Sequence, residues 1–423
     1  MRGVIYRKRS PVRRGPSPRG LRRLELLRLL LLGCAVALCA PALLAEPGAL
    51  VEVEFDRSYS AEEVNAATAS LFEGYERPPA RSGVDVYWLR YESRYSDGAR
   101  SVVTSQLFVP QPGAGGGEGH ADSGEGPRDL YLFGPGSTGI LDVCRPSREH
   151  IAGIYWGSYR AHTLAFAGQG MVGLLPDYMG FGDPGRLQPF FHEEAGAHLM
   201  LDGVRATRAF LRRAGRPGID RVFLAGYSQG GHAAFAAADY RERYAPDVAI
   251  DGIIGYGPTT DMHALIREFV VVGPVVAYSY RSRYGVDRFD PARMLQDRWL
   301  ESLDHDVTRQ CIGGIQSYYP WDPYELYRRD FVEPLMAGEL GRDFPEIDAI
   351  LRQQSSGLSG HGVPALILQG TDDIVVYPES QRDFVTALRQ AGSEVRYYIY
   401  ENERHDVRQA AHLDVLAWIE EQE

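Results

Sequence analysis

The stretch that most constrains the chain is Arg221-Val-Phe-Leu-Ala-Gly-Tyr-Ser-Gln-Gly-Gly-His-Ala-Ala-Phe235. An apolar run meets a glycine, a serine stands among further glycines, and alanines follow. Such a pattern reads as a buried strand, a turn too tight for bulky side chains, and a small-residue helix. At its centre, Gly226-Tyr227-Ser228-Gln229-Gly230 has the Gly-x-Ser-x-Gly spacing of a nucleophile elbow, where a strained strand-to-helix bend lifts the serine hydroxyl into a cleft. With 47 glycines the pentapeptide alone would match by chance; its flanks make Ser228 the candidate nucleophile.

A serine hydroxyl attacks poorly at neutral pH unless a base lies within hydrogen-bond reach and a third group orients that base. Downstream, Leu368-Gln-Gly-Thr-Asp-Asp-Ile-Val-Val376 runs from a strand into a turn with two aspartates, and Tyr398-Ile-Tyr-Glu-Asn-Glu-Arg-His-Asp406 puts a histidine just past another strand. Asp373, three residues beyond Gly370, is preferred to Asp372 as the acid. His405 is preferred to His412, which falls within a helix where a histidine usually lies at the surface. The order Ser228, Asp373, His405 is the one expected of this elbow type. Donors for a developing oxyanion are expected from the Gln229 amide, at the start of its helix, and from Gly134-Pro-Gly-Ser-Thr-Gly139, directly after a strand. Within that loop the Ser137 amide is the choice, with Thr138 as its neighbouring alternative. No His/Cys cluster has ligand spacing, so no metal is expected.

The first 45 residues carry ten Lys/Arg against one acid, Glu25, ahead of the apolar run Leu29-Leu-Leu-Leu-Gly-Cys-Ala-Val-Ala-Leu-Cys-Ala40. A basic start, a moderate apolar core and the small-residue exit Ala40-Pro41-Ala42 describe a secretory signal peptide over residues 1–42, with a second exit after Ala45. The apolar stretch is short for a membrane span, and its continuation past Cys34 argues against a lipoprotein box at Leu31-Leu32-Gly33-Cys34. Taking those ten cations and one acid from totals of 45 and 56 leaves the rest of the chain at about −20, a balance that disfavours nucleic acid and anionic membranes. Cys34 and Cys39 would leave with the signal. Cys144 and Cys311 would then mature in an oxidising compartment, secreted or periplasmic, where a disulfide between them is expected.

Residues 46–83 read as a mixed leader, with a helix near Ala61 to Leu71. Val84 to Tyr91 and Ser101 to Val109 alternate apolar and polar residues and suggest an opening hairpin. Residues 111–128 are Gly-rich and read as a flexible surface loop. Continuous apolar strands then alternate with helices: strands at 129–133, 171–175, 221–225, 249–254, 364–368 and 394–400, helices at 159–168, 192–214, 229–244, 378–391 and 407–420. This alternation predicts a mostly parallel sheet covered on both faces. The aromatic-rich interval 259–363 breaks it and reads as an inserted helical cap on a core of 84–258 and 364–423.

The elbow Gly-Tyr-Ser-Gln-Gly-Gly, Leu175-Pro-Asp-Tyr-Met-Gly-Phe-Gly-Asp183, Asp202-Gly-Val-Arg-Ala206 and Gly370-Thr-Asp-Asp373 together resemble the α/β-hydrolase superfamily, particularly secretory-lipase-like esterases. The resemblance implies an eight-stranded, mostly parallel sheet, hydrolysis of small-molecule esters or lipids through an acyl-enzyme, and no cofactor. Two departures stand out. Pro135-Gly136 replaces the His-Gly frequent before the oxyanion donor, and Arg404 precedes the histidine where glycine is frequent. Two rival readings use the same scaffold: a serine peptidase of the prolyl-oligopeptidase type, and a catalytically silent binding module.

Overall fold

The computed structural model describes residues 46–112, 128–149 and 157–422. The expected signal segment 1–42 with its alternative exit, and nearly all of the expected 111–128 loop, lie outside these residues. The backbone forms one sheet of nine strands in the order β1-β2-β3-β5-β4-β6-β7-β8-β9. They are β1 (Leu50–Tyr59), β2 (Val84–Arg94), β3 (Arg100–Pro110), β4 (Arg128–Gly134), β5 (Val172–Pro176), β6 (Ile219–Tyr227), β7 (Gly252–Tyr256), β8 (Ala365–Gly370) and β9 (Val395–Tyr400). β4 to β9 run parallel, while β1, β2 and β3 join as antiparallel neighbours.

The count corrects the expected eight, because the 46–83 leader contributes an edge strand. β1 is Leu-Val-Glu-Val-Glu-Phe-Asp-Arg-Ser-Tyr, with irregular register at Leu50/Glu52 and Phe55/Arg57 and most side chains outside the core. Charges and bulges are how an edge strand avoids pairing with other chains, and they also erase the alternation that would reveal it. The helix that follows, α1 (Ala61–Thr68), starts with a reciprocal cap: the Glu63 amide donates to Ser60 Oγ at 3.2 Å and the Ser60 amide to Glu63 Oε2 at 2.7 Å.

Side-chain alternation along β6 splits the core in two. Val222 and Leu224 face one apolar layer, with α3 (Glu193–Arg213), α4 (Gln229–Tyr244) and α5 (Pro378–Gln390) above them. Phe223 and Ala225 face the other, with α2 (Tyr159–Gly168) and α6 (His412–Glu421). Val407, Ala411, Val415 and Trp418 are all buried there, although the helix begins only at His412 rather than near Val407. His412 itself is buried against Phe72 and Phe166, not surface-exposed as expected. Each such large side chain removed from water contributes about 1.5–3 kcal/mol.

Between β7 and β8, short helices from Met262 to Gln353 build a separate apolar cluster that also takes in Ile140, Phe190 and Phe191 from the core. Of the insertion's aromatics, Phe269, Tyr280 and Tyr319 lie in this cluster, whereas Trp321 and Tyr324 are exposed. Tyr280 Oη donates to the Phe191 carbonyl at 2.9 Å, and His232 Nε2 to the Gln354 carbonyl at 2.7 Å, joining insertion to core. Among the described residues no single helix is long and apolar enough to cross a membrane; the bent pair Met262–Glu268 and Val270–Tyr284 passes by length and composition, and most of its residues are buried in this cluster.

Candidate active site

The elbow exists because three glycines meet there. β4 and β6 are neighbours, and α4 crosses them so closely that a Cβ on Gly230 would lie 1.8 Å from the Gly134 carbonyl oxygen, and one on Gly226 2.0 Å from the Gly230 carbonyl carbon. Only glycine allows this backbone-to-backbone approach. The chain therefore turns within one residue, and Ser228 takes φ 52° and ψ −113°, a conformation costly for any side chain. Its amide donates to the Tyr256 carbonyl at 3.0 Å, and its own carbonyl accepts from Thr259 at 3.3 Å, so the bend is tied to β7 and the residues after it.

His405 and Asp373 meet beside this bend. The Nδ1 of His405 lies 2.8 Å from Asp373 Oδ2, and its ring is 4.9 Å from that of Tyr227, the residue before Ser228. A Cβ on Gly257 would come within 2.9 Å of that Nδ1, so the imidazole rests on the turn that leads to Thr259. Asp373 is buried and fully engaged: Oδ1 accepts from the amides of Val375 and Val376 at 2.8 and 3.0 Å, and Oδ2 from Gln369 Nε2 at 3.1 Å. Burial opposes a charge on Asp373, yet His405 and the two amides hold its carboxyl below the ordinary carboxylate value. Asp372 is exposed and is held by Thr371 instead.

The serine-histidine contact is not closed in this conformation. Ser228 Oγ lies 3.4 Å from Thr259 Oγ1, and His405 Nε2 is buried without a partner among the described residues. Hydrogen bonds of this kind often tighten only around substrate.

Gln229 is the first residue of α4, where an amide has no intrahelical acceptor, and it is buried. It lines a small cavity with Tyr178, Met179 and Phe191, which shares Pro189 and His192 with an open cleft of about 590 Å³ bordered by the insertion's Tyr278 and Ser279. The loop after β4 is pinned on several sides. Tyr178 Oη donates to the Pro135 carbonyl at 2.6 Å, Gly136 has no room for a Cβ beside Tyr227 and Tyr159, and the Thr138 carbonyl accepts from the Ile312 amide at 2.9 Å. Between these anchors Ser137 is half-buried, with an amide that meets no acceptor among the described residues.

Cys144 and Cys311 are bonded, which ties this loop to the insertion. Replacing both by serine is expected to lower thermal stability by about 2–5 kcal/mol, because the bridge closes a long loop, and to lower turnover as the Ser137 segment loosens. Calorimetry together with steady-state rates checks this, and an unchanged midpoint would count against it.

Sequence reasoning missed the holders of these groups. Gln369 fixes Asp373 while also donating to the carbonyls of Gly370 and Val376, and Thr259 meets the serine hydroxyl. A glutamine ending a strand and a threonine opening an insertion carry no pattern by which they could have been found.

Comparison with known proteins agrees with this architecture. A family model described as secretory lipase matches residues 162–271, which hold the elbow, and a prolyl oligopeptidase family model matches residues 344–422, which hold Asp373 and His405. The rice cell wall degrading esterase LipA from Xanthomonas oryzae superposes with a TM-score of 0.73 over 89% of this chain and 100% of its own, at 18% identity. The chain has the α/β-hydrolase fold. A protein from Legionella pneumophila superposes with a TM-score of 0.68 at 17% identity, covering 88% of this chain and 99% of its own. For Candida antarctica lipase A in its closed state the values are 0.61 and 16%, over 89% and 82%. In sequence, Lipase A of Arthroderma benhamiae is 26% identical over 216 residues, 48% of this chain and 42% of that lipase, so the alignment spans less than half of the curated relative.

Proposed function

We propose that this chain of α/β-hydrolase fold is a secreted serine hydrolase that cleaves carboxylic esters through Ser228, His405 and Asp373. The observation that carries the reading is the imidazole beside the elbow, held through Nδ1 by a buried carboxylate while Nε2 is left without a partner among the described residues. Asp373 keeps the Nδ1 tautomer, so Nε2 is free to act as base. Ser228 Oγ attacks the ester carbonyl carbon as His405 Nε2 takes its proton. The oxyanion is stabilised by the amides of Gln229 and Ser137. Collapse expels the alcohol, which receives the proton from His405 and leaves the acyl group on Ser228; water repeats the sequence in reverse and releases the acid.

Support for export comes from the basic and apolar N-terminal segment, the disulfide and the match to secretory lipases. A small ester would reach the elbow from the open cleft between core and insertion, which is lined by Asp97, Arg186 and Arg283 as well as Tyr278 and meets the small cavity at Gln229 through Pro189 and His192. The peptidase reading draws on the match of residues 344–422 to prolyl oligopeptidases. A panel of p-nitrophenyl esters of graded acyl length, run beside aminoacyl-naphthylamides, decides between them. Ester turnover with inert amides is expected; the opposite result would replace this reading with the peptidase. A fluorophosphonate probe should label Ser228 in either case, and absence of labelling with absence of turnover would leave a silent scaffold.

A further inference from the structure

Beneath His405 lies an ion pair whose placement suggests a second layer of control, on the reading that Ser228 and His405 are nucleophile and base. Arg408 is fully buried, a rare place for a permanent cation. Its guanidinium holds Asp406 with two prongs, Nε to Oδ1 at 2.8 Å and Nη2 to Oδ2 at 2.6 Å, and Nη2 also donates to the Gly157 carbonyl at 2.5 Å. Three rings surround it, those of Tyr227, Tyr159 and Phe133, with centroids 4.9, 5.1 and 5.7 Å away.

Each of these partners belongs to a different part of the site. Tyr227 precedes Ser228 and touches the His405 ring. Tyr159, with Tyr227, backs Gly136 in the oxyanion loop, and Phe133 lies in β4 just before that loop. Gly157 is fixed in turn by Glu149, whose carboxylate accepts the amides of Gly157, Ser158 and Tyr159 at 2.9, 2.6 and 2.9 Å.

An ion pair between the buried Arg408 and the partly exposed Asp406 adds little net stability compared with apolar side chains of equal volume. What it does supply is geometry, since a planar fork with two flat faces accepts few arrangements. Asp406 and Arg408 are also only two residues apart, so the pair closes no long segment. It sets the shape of the turn that begins at His405. We propose that Arg408 is a positioning residue that holds the histidine turn, the residue before the nucleophile and the oxyanion loop in one frame. Having no exposed surface, it acts on turnover and not on substrate binding.

Two variants test this. Asp406→Asn/Arg408→Met removes both charges together and leaves no unpaired ion, while Arg408→Lys keeps the charge and loses the fork. In the folded double variant, kcat for p-nitrophenyl butyrate is expected to fall on the order of 10- to 100-fold with KM within about twofold. Arg408→Lys should fall between it and wild type, and fluorophosphonate labelling of Ser228 should slow in parallel. An unchanged kcat in the folded double variant overturns the inference, as does a loss fully restored by lowering the temperature. If the double variant does not fold, an unchanged kcat in Arg408→Lys overturns it alone. Ser228→Ala separates the two levels: turnover surviving there removes the underlying reading, whereas a dead Ser228→Ala beside fully active Arg408 variants removes only the positioning role.

Discussion

Ser228→Ala is expected to lower kcat for p-nitrophenyl butyrate on the order of 10⁶-fold while leaving the protein folded. The hydroxyl makes one long contact, to Thr259, and no apolar packing depends on it, so its loss removes chemistry and almost nothing else. In the proposed mechanism the amides of Gln229 and Ser137 would still polarise a bound ester, which sets a floor above the uncatalysed rate. A second arm follows from the backbone. Because Ser228 sits at φ 52°, Ser228→Gly should be equally inactive yet more stable than Ser228→Ala by about 1 kcal/mol, since glycine relieves the strain that the elbow imposes. Steady-state rates and thermal melts on both variants check the pair. Turnover within tenfold of wild type in either would end the serine mechanism.

The parts of this site that could be read from the chain are those built on local rules. Gly226 and Gly230 announce a bend because steric exclusion acts at fixed offsets, and Asp373 and His405 each follow an apolar strand in the order the elbow demands. The parallel strands were legible for the same reason: buried on both faces, they are nearly continuous in apolar residues. What escaped depends on contacts far apart in sequence. β1 has edge-strand chemistry and little alternation, so it passed as leader. His412 is expected at the surface because a histidine in a helix usually lies there, whereas the approach of Phe72 and Phe166 from distant parts of the chain buries it. Arg408 reads in sequence as one more arginine among many, and its burial follows from Tyr159, Tyr227 and Phe133 arriving from three other elements.

Asp373→Asn is expected to cost about 10⁴-fold in kcat, although the substitution changes one atom and almost no volume. The hydrogen-bond pattern explains why. Oδ1 accepts two backbone amides, from Val375 and Val376, so the asparagine carbonyl oxygen must occupy that position. The new NH₂ group then replaces Oδ2 and faces two donors, Gln369 Nε2 and His405 Nδ1. Gln369 cannot turn away without giving up the carbonyls of Gly370 and Val376. The imidazole has a cheaper escape: it moves its proton to Nε2 and accepts at Nδ1, which leaves no lone pair to take the proton of Ser228. On the acid side, the wild-type carboxyl lies below its usual value, so it stays ionised as pH falls toward 4 and protonates only beneath that range. Loss of activity between pH 5 and 7 therefore does not come from Asp373. Asp372→Asn is the control, because that side chain is exposed and points to Thr371, and its kcat should stay within about twofold of wild type. If Asp372→Asn is the damaging change and Asp373→Asn is not, the acid has been assigned to the wrong residue of the pair.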